Sequence, residues 1–394
     1  MSNSLFAPPL LPASAARLQS IDALRGLVML FMLLDHVRET FYLHMQVPDP
    51  MAVSDTPPGL FFPRMLAHLC APVFVFLTGL GAYLYASRHA EMGQARAAAS
   101  GFLWRRGLFL VLLEITIINF AWTFQFPPAK VFLQVIWVIG LSMLALSALV
   151  WLPRKALLLL GVVLVAGHNL LDGLHFPAGH AMHVPWAILH ERGWLELADV
   201  KLRTSYPLLP WIGVIALGYG IGPWFSKACD ATQRMHYLLI AGIASLLGFM
   251  ALRALNVYGD APWQTGANAL QTVMSWLNVT KYPPSLLFIL LTLGVGLLLL
   301  RAFEAKMGAG WLQPLATLGA APMFFYVLHL YVLKFMYLAA ITVWGANQGS
   351  LFGLNSLWWL WVIAALLAIT LYPCVRWFAA LKQRRRDIAW LKYL

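Results

Sequence analysis

Charge is scarce in this sequence. Only 11% of its 394 residues are Asp, Glu, Lys or Arg, against 61% hydrophobic, and soluble domains carry about 25% charged residues. An ordinary soluble domain is thereby excluded. Cysteine is scarcer still: Cys70, Cys229 and Cys374 stand alone with no CxxC spacing, which argues against a disulfide framework and against a cysteine-based zinc site. The opening "MSNSLFAPPLLPASAA" lacks a basic start, and Pro8, Pro9 and Pro12 break its apolar run, so it is not read as a cleaved signal. No internal repeat is visible, and an inverted-repeat transporter gains no support. The stretch "HFPAGHAMH" offers His175, His180 and His183 without Cys or carboxylate at ligand spacing. No metal site is predicted there.

What is present in abundance is apolar length. Stretches of about 20 apolar residues recur from end to end, the mark of a polytopic α-helical membrane protein. The expectation is an all-α membrane helix bundle of about ten transmembrane helices, near residues 21 to 43, 65 to 87, 102 to 125, 131 to 152, 155 to 174, 206 to 226, 235 to 255, 282 to 302, 315 to 342 and 356 to 380. Residues 1–20 form a short N-terminal segment, 21–380 the membrane domain and 381–394 a basic tail. The net charge of +12 is read from where the cations fall. Most of them, from Arg17 through Arg88, Arg96, Arg105, Arg106, Arg154 and Lys155 to the tail "KQRRRDIAWLK", lie on one side of the predicted spans. The positive-inside rule puts that side, with both termini, in the cytoplasm, the tail lying against anionic lipid. No nucleic-acid partner is predicted. The longer loops, near 44 to 64, 175 to 205 and 256 to 281, then face outward and are rich in Pro, Gly and Trp.

Against this background the few buried ionisable groups stand out, since each costs about 2.5–3.5 kcal/mol to insert at mid-bilayer. "SIDALRGLVMLFMLLDHVRETFYLH" carries Asp22, Arg25, Asp35, His36 and Arg38. Arg25 and His36 are eleven residues apart, about three turns plus 20°, so they share a face with Asp22 while Asp35 points about 100° away. His36 lies about 21 Å along the axis from Asp22. His68 opens the second span just before a bend at Pro72, and Glu114 sits mid-way along the third. His168 and Asp172 are spaced to share a helical face, and His329 lies inside the ninth span with Lys334 above it. By depth the histidines gather in the outer half and Arg25 with Asp22 in the inner half, as a polar track would. Each also has a plain structural reading: a hydrogen-bonded core histidine, a snorkelling Arg25 neutralised by Asp22, or a Glu114 that pairs with Arg25, Arg105 or Arg106.

The stretches "RLQSIDALRGLVMLFMLLDHVRETF", "HLCAPVFVFLTGLGAYLY", "SYPLLPWIGVIALGYGIG", "KYPPSLLFILLTLG" and "APMFFYVLHLYVL" resemble the bacterial integral-membrane family described as heparan-alpha-glucosaminide N-acetyltransferase catalytic domain. The Arg25 and His36 spacing is also similar to that of membrane acyltransferases that decorate bacterial envelope polysaccharides. The resemblance implies acyl transfer across the bacterial inner (plasma) membrane, from cytoplasmic acetyl-CoA to a glycan or amino-sugar acceptor outside. It carries functional roles to Arg25 and His36. In the lysosomal enzyme the required histidine lies further on, which points to His44 as a second candidate.

The chemistry agrees in kind. Acyl transfer needs a base that titrates near neutrality, here His36 or His44 with Asp35 as neighbour, and a cationic place for the nucleotide phosphates, here Arg25 and Asp22 with Arg105 and Arg106. His68, Glu114, His168, Asp172, Lys281 and His329 are the candidate supporting residues. The rival reading is a proton-coupled transporter or flippase for a polar molecule or glycolipid, in which the same groups relay protons. Oligomeric state is left open.

Overall fold

A computed structural model of the chain describes residues 13–89, 94–385, 387–388 and 390–391. The predicted N-terminal segment up to residue 12, and Arg386 and Lys392 of the predicted tail, lie outside the described residues.

The charged first stretch forms one unbroken helix, α1 (Ala13–Phe41). The end of the bundle where α1 starts is called basal here, and the opposite end the loop end. The return pass is α2 (Pro58–Ala67) and α3 (Cys70–Ser87). It breaks at His68 and Leu69, one turn before the bend expected at Pro72, because Pro72 has no N–H to return to the carbonyl of His68. α4 (Ala95–Leu113) passes through a single π-turn at Glu114–Ile118 into α5 (Asn119–Thr123). Then come β1 (Lys130–Leu133), α6 (Val135–Leu149) and α7 (Arg154–Gly167), the last tightening into a 3-10 turn at His168–Leu171.

The expected outer loop of 175 to 205 holds α8 (His183–Leu189), β2 (Gly193–Leu197) and β3 (Val200–Thr204). β3 pairs parallel with β1 and antiparallel with β2. This small sheet departs from the all-α expectation: residues 131–133, expected to open a transmembrane helix, belong to the strand β1. The chain continues as α9 (Leu209–Gly220), α10 (Ala231–Leu255), α11 (Ala269–Leu277), α12 (Leu286–Ala305) and α13 (Leu312–Gly319). It ends with α14 (Pro322–Trp344) and α15 (Trp358–Arg384). The expected ninth span is thus two helices, separated just before Pro322, where proline opens the longer one.

Among the described residues, six helical segments are long and apolar enough to cross a membrane: Pro58–Ser87, Arg154–Leu171, Ala231–Leu255, Leu286–Ala305, Pro322–Trp344 and Trp358–Arg384. α6 and α9 are apolar but shorter. α1 and α4 carry more charge, Asp22, Arg25, Asp35 and Arg38 on the first and Arg96, Arg105 and Arg106 on the second.

α1 is largely buried and touches α2, α3 and α12 to α15. Its backbone meets that of α13 through two glycines: a side chain on Gly26 would strike the carbonyl of Leu315, and one on Gly319 would strike that of Asp22. Arg25, next to Gly26, turns its guanidinium toward α3, where it meets the carbonyl of Leu77.

Candidate active site

Two cavities enter the bundle from opposite ends and meet at His36. The basal cavity, of about 320 Å³, is lined by Arg25, Arg88, Arg106 and Lys382 with Tyr85 and Phe102, and reaches Asp35, His36, Val135, Tyr206, Lys281 and Tyr326. The loop-end cavity, of about 770 Å³, is lined by Arg38, Glu39, Asp49, Arg64, Trp122, Arg192, Arg203 and Lys334 and reaches the same six residues. Those six are the neck. Arg25 and His36 therefore border one continuous space, as their spacing on α1 requires.

His36 is held by its neighbours. Its Nδ1 lies 2.7 Å from Nε2 of His329, whose own Nδ1 is 2.7 Å from the carbonyl of Phe325. A carbonyl only accepts, so His329 donates from Nδ1; for neutral rings its Nε2 then accepts, and His36 donates from Nδ1. The Nε2 of His36 is left as an acceptor, the atom a general base uses. The two imidazoles lie nearly parallel with centroids 5.0 Å apart, and Trp122 and Tyr326 meet His36 edge-on at 5.3 and 5.8 Å.

Asp35 lines both cavities, yet its carboxylate is committed elsewhere. It accepts from Nε of Arg38 at 2.8 Å and from Arg64, and Glu39 completes the network through Arg38 at 3.1 Å and Arg64 at 3.4 Å. The group bonded to the His36 ring is His329, not Asp35. His44 lies in a 3-10 turn after α1 with its ring against Gly353, and lines neither cavity. Of the two candidate bases, the geometry brings only His36 to the neck.

At the basal mouth, Arg25 donates to Asp22 at 2.8 Å and to the carbonyl of Leu77 at 3.4 Å. Arg106 lines the cavity; Arg105, one helical step of about 100° further round, faces outward and does not. Arg88 and Lys382 were missed by sequence reasoning. Lys382 belongs to the stretch expected to lie on lipid, but α15 runs through it and its ammonium reaches the carbonyl of Ala320 at 3.4 Å. Tyr85 and Phe102 stack at 4.5 Å, with Arg106 5.8 Å from the Phe102 ring.

The supporting candidates divide. Lys281 borders both cavities, its backbone N–H donating to Asp49 at 3.1 Å and its ammonium 5.1 Å from the Tyr282 ring. Glu114 lines neither cavity and meets none of the expected arginines; it accepts the N–H groups of Ile136 and Trp137 at 3.0 and 3.1 Å, capping α6. That cap sets Val135 and Ile136 in the cavity wall. His68 is buried against Phe288 with neither nitrogen bonded among the described residues.

His168 and Asp172 do not pair. The chain tightens to a 3-10 turn between them, so His168 meets the carbonyl of Pro284 at 2.8 Å while Asp172 accepts from Asn169 and His190, both at 2.9 Å. Burial raises the Asp172 carboxyl, but the bonds from His190 and Asn169 outweigh it and hold it below its usual range. The histidines thus do not form the single outer cluster expected: His36 borders the neck with His329 behind it, while His68 and His168 pack elsewhere. Tyr326 shared the helical face of His329 three residues away, and Arg64 was an isolated cation in an apolar run; both signals were readable. Among the described residues, no three His, Cys, Asp or Glu side chains gather as metal ligands would.

Fold and cavities together define a polytopic membrane protein whose polar centre is open to both ends. A sequence model of the family described as "Heparan-alpha-glucosaminide N-acetyltransferase, catalytic" matches residues 17–259, more than half of the chain, and the chain belongs to that family. The family is one of acetyltransferases acting on glycan-related substrates. No curated protein matches the chain. The matched part supplies α1 through α10, including His36, while Lys281, Tyr326, His329 and Lys382 come from the residues after it.

Proposed function

We propose that this protein is a transmembrane acetyltransferase that draws acetyl-CoA into the basal cavity and passes the acetyl group to a glycan or amino-sugar acceptor in the loop-end cavity. The observation that carries this reading is the shared neck, where one histidine borders spaces that open in opposite directions. The basic loops support a cytoplasmic basal end and cytoplasmic termini, on the side where CoA is found, in a chain of about ten passes through a bacterial plasma membrane. Arg25, Arg88, Arg106 and Lys382 meet the nucleotide phosphates through charge-assisted bonds, and the stacked Tyr85 and Phe102 offer the adenine an aromatic face. The pantetheine arm follows the apolar wall of α1 and α6 to the neck.

There the acceptor amine or hydroxyl attacks the thioester carbonyl while Nε2 of His36 takes its proton. The new C–N or C–O bond forms as the C–S bond breaks, and the proton leaves with the CoA thiolate. His329 fixes the tautomer this requires, and the Lys281 ammonium faces the negative charge that develops on the carbonyl oxygen. Asp35 serves by holding Arg38 and Arg64 around the neck.

Purified protein in detergent, given radiolabelled acetyl-CoA and amino-sugar acceptors, is expected to release CoA only when an acceptor is present. His36→Ala should lower turnover by about 10²–10⁴-fold, the usual contribution of a general base. Full activity in that variant would remove His36 from the role. If the protein ignores the thioester and instead moves the acceptor across liposomes, the transporter reading replaces this one.

A further inference from the structure

The loop-end cavity carries more positive charge than its wall can neutralise. Among the carboxylates that line it, Asp35 and Glu39 are occupied by Arg38 and Arg64. Asp49 accepts the backbone N–H of Lys281; burial pushes its carboxyl up, against the charges of Arg64, Lys281 and Arg192. Arg192 and Arg203 have no carboxylate within ion-pair distance among the described residues. Each is held by an aromatic ring instead. Arg192 lies 4.8 Å from the Tyr282 centroid and Arg203 5.0 Å from that of Trp194.

The sheet explains why Arg203 faces the cavity. It is the register partner of Phe132 on β1 and of Trp194 on β2, so all three stand side by side on one face. The neighbouring cation of the same strand makes the contrast. Lys201 is exposed, lies opposite Glu196 and pairs with it at 3.4 Å. Arg203, two residues nearer the neck, is half-buried without such a partner, and burial together with the charge of Arg192 lowers its affinity for its proton. Nε of Arg192 is buried and makes no hydrogen bond among the described residues. Two guanidinium forks that line one cavity, each held against an aromatic ring and without a carboxylate partner among the described residues, offer the bidentate donors that a phosphate or sulfate group takes.

We propose that Arg192 and Arg203 form an anion subsite that takes a phosphate or sulfate group carried by the acceptor. The group is either a substituent of the sugar ring or the phosphate that joins the sugar to a lipid, and the two share the chemistry recognised here. The assignment to the acceptor rests on the loop-end cavity being its side; anion binding itself does not.

The test is binding to the full-length protein in detergent, read by thermal shift and calorimetry without any turnover. The probes are inorganic phosphate, glucosamine, glucosamine 6-phosphate, dodecyl phosphate and adenosine 3′,5′-bisphosphate. Glucosamine 6-phosphate is expected to bind at least tenfold more tightly than glucosamine, and Arg203→Gln or Arg192→Gln to remove that preference, as the loss of one charge-assisted bond implies at about 10- to 150-fold. Lys201→Gln, on the same strand but exposed and paired with Glu196, should leave it intact and reports whether the sheet still folds. Tighter binding of dodecyl phosphate than of the sugar phosphate, lost in the same variants, identifies the lipid-linked source. No preference for phosphorylated over neutral sugar in the wild type overturns the subsite. Loss of adenosine 3′,5′-bisphosphate binding in Arg203→Gln, with sugar phosphates unaffected, overturns it as well, because the arginines would then serve the donor. Absence of acetyl transfer with phosphate binding intact would defeat the proposed function and leave the subsite standing.

Discussion

The two cavities are both basic, yet they are built from different parts. The basal one is narrow and lies between helix ends, its cations placed by periodicity on α1, α3, α4 and α15. The loop-end one has more than twice its volume and takes Arg192 and Arg203 from the chain around the sheet, and Asp49 and Lys281 from loops. A helix end presents a cation at a depth its sequence position decides. A loop presents one only where tertiary contacts hold it, here the stacking on Tyr282 and Trp194.

Substitutions at the neck should break both sides of this comparison at once. His36→Ala is expected to have the largest effect, the 10²–10⁴-fold fall in turnover, with affinity for both ligands kept; equilibrium binding of each ligand to the variant checks this. Arg64→Ala comes next. It leaves Asp35 at 5% exposure with one cation fewer, and breaking a buried pair in this way costs about 3–5 kcal/mol, measurable as a lower midpoint of thermal unfolding. A midpoint like that of the wild type would show that water or Lys281 replaces the guanidinium.

The sides should then separate. Arg106→Ala is expected to raise the KM for acetyl-CoA by about tenfold or more and to leave the acceptor KM alone, whereas Arg105→Ala should change neither. Equal effects of the two substitutions would contradict the helical facing of Arg106. The smallest effect is expected at Asp172, which lines neither cavity. Its folded-state pKa is lowered, by hydrogen bonds that outweigh burial, so its stabilisation is present above the unfolded carboxylate pKa of about 3.9 and is lost as pH falls below it. Asp172→Asn should therefore lower the melting temperature slightly at neutral pH, the gap to wild type closing on acidification. Melting curves taken between neutral and acidic pH decide it.

How far the site was legible follows the same division. Arg25 and His36 could be paired from sequence because α1 is a single helix and eleven residues return close to the same face. His329 could be marked as a buried histidine but not as the partner of His36, since nothing local joins α1 to α14. The ninth span was drawn as one helix because apolarity runs on through residues 315 to 321, and only the packing of α13 against Gly26 shows that they turn aside. The strands were missed for a related reason. β1 is four residues long, too short for a period to register, and its parallel partner is found only in space.

The amino-acid sequence by itself determined the solvent this protein folds for, the helical pattern, and the placement of rare charges along the first helix, because hydropathy and helical period are local properties of a chain. The tertiary structure alone decided which of those charges meet: that His329 backs His36, that Arg106 rather than Arg105 faces inward beside Lys382, and that Tyr282 and a small sheet set Arg192 and Arg203 on the loop-end cavity. Contacts between distant segments depend on close backbone approaches and on which buried groups find partners, and neither is written in the order of residues.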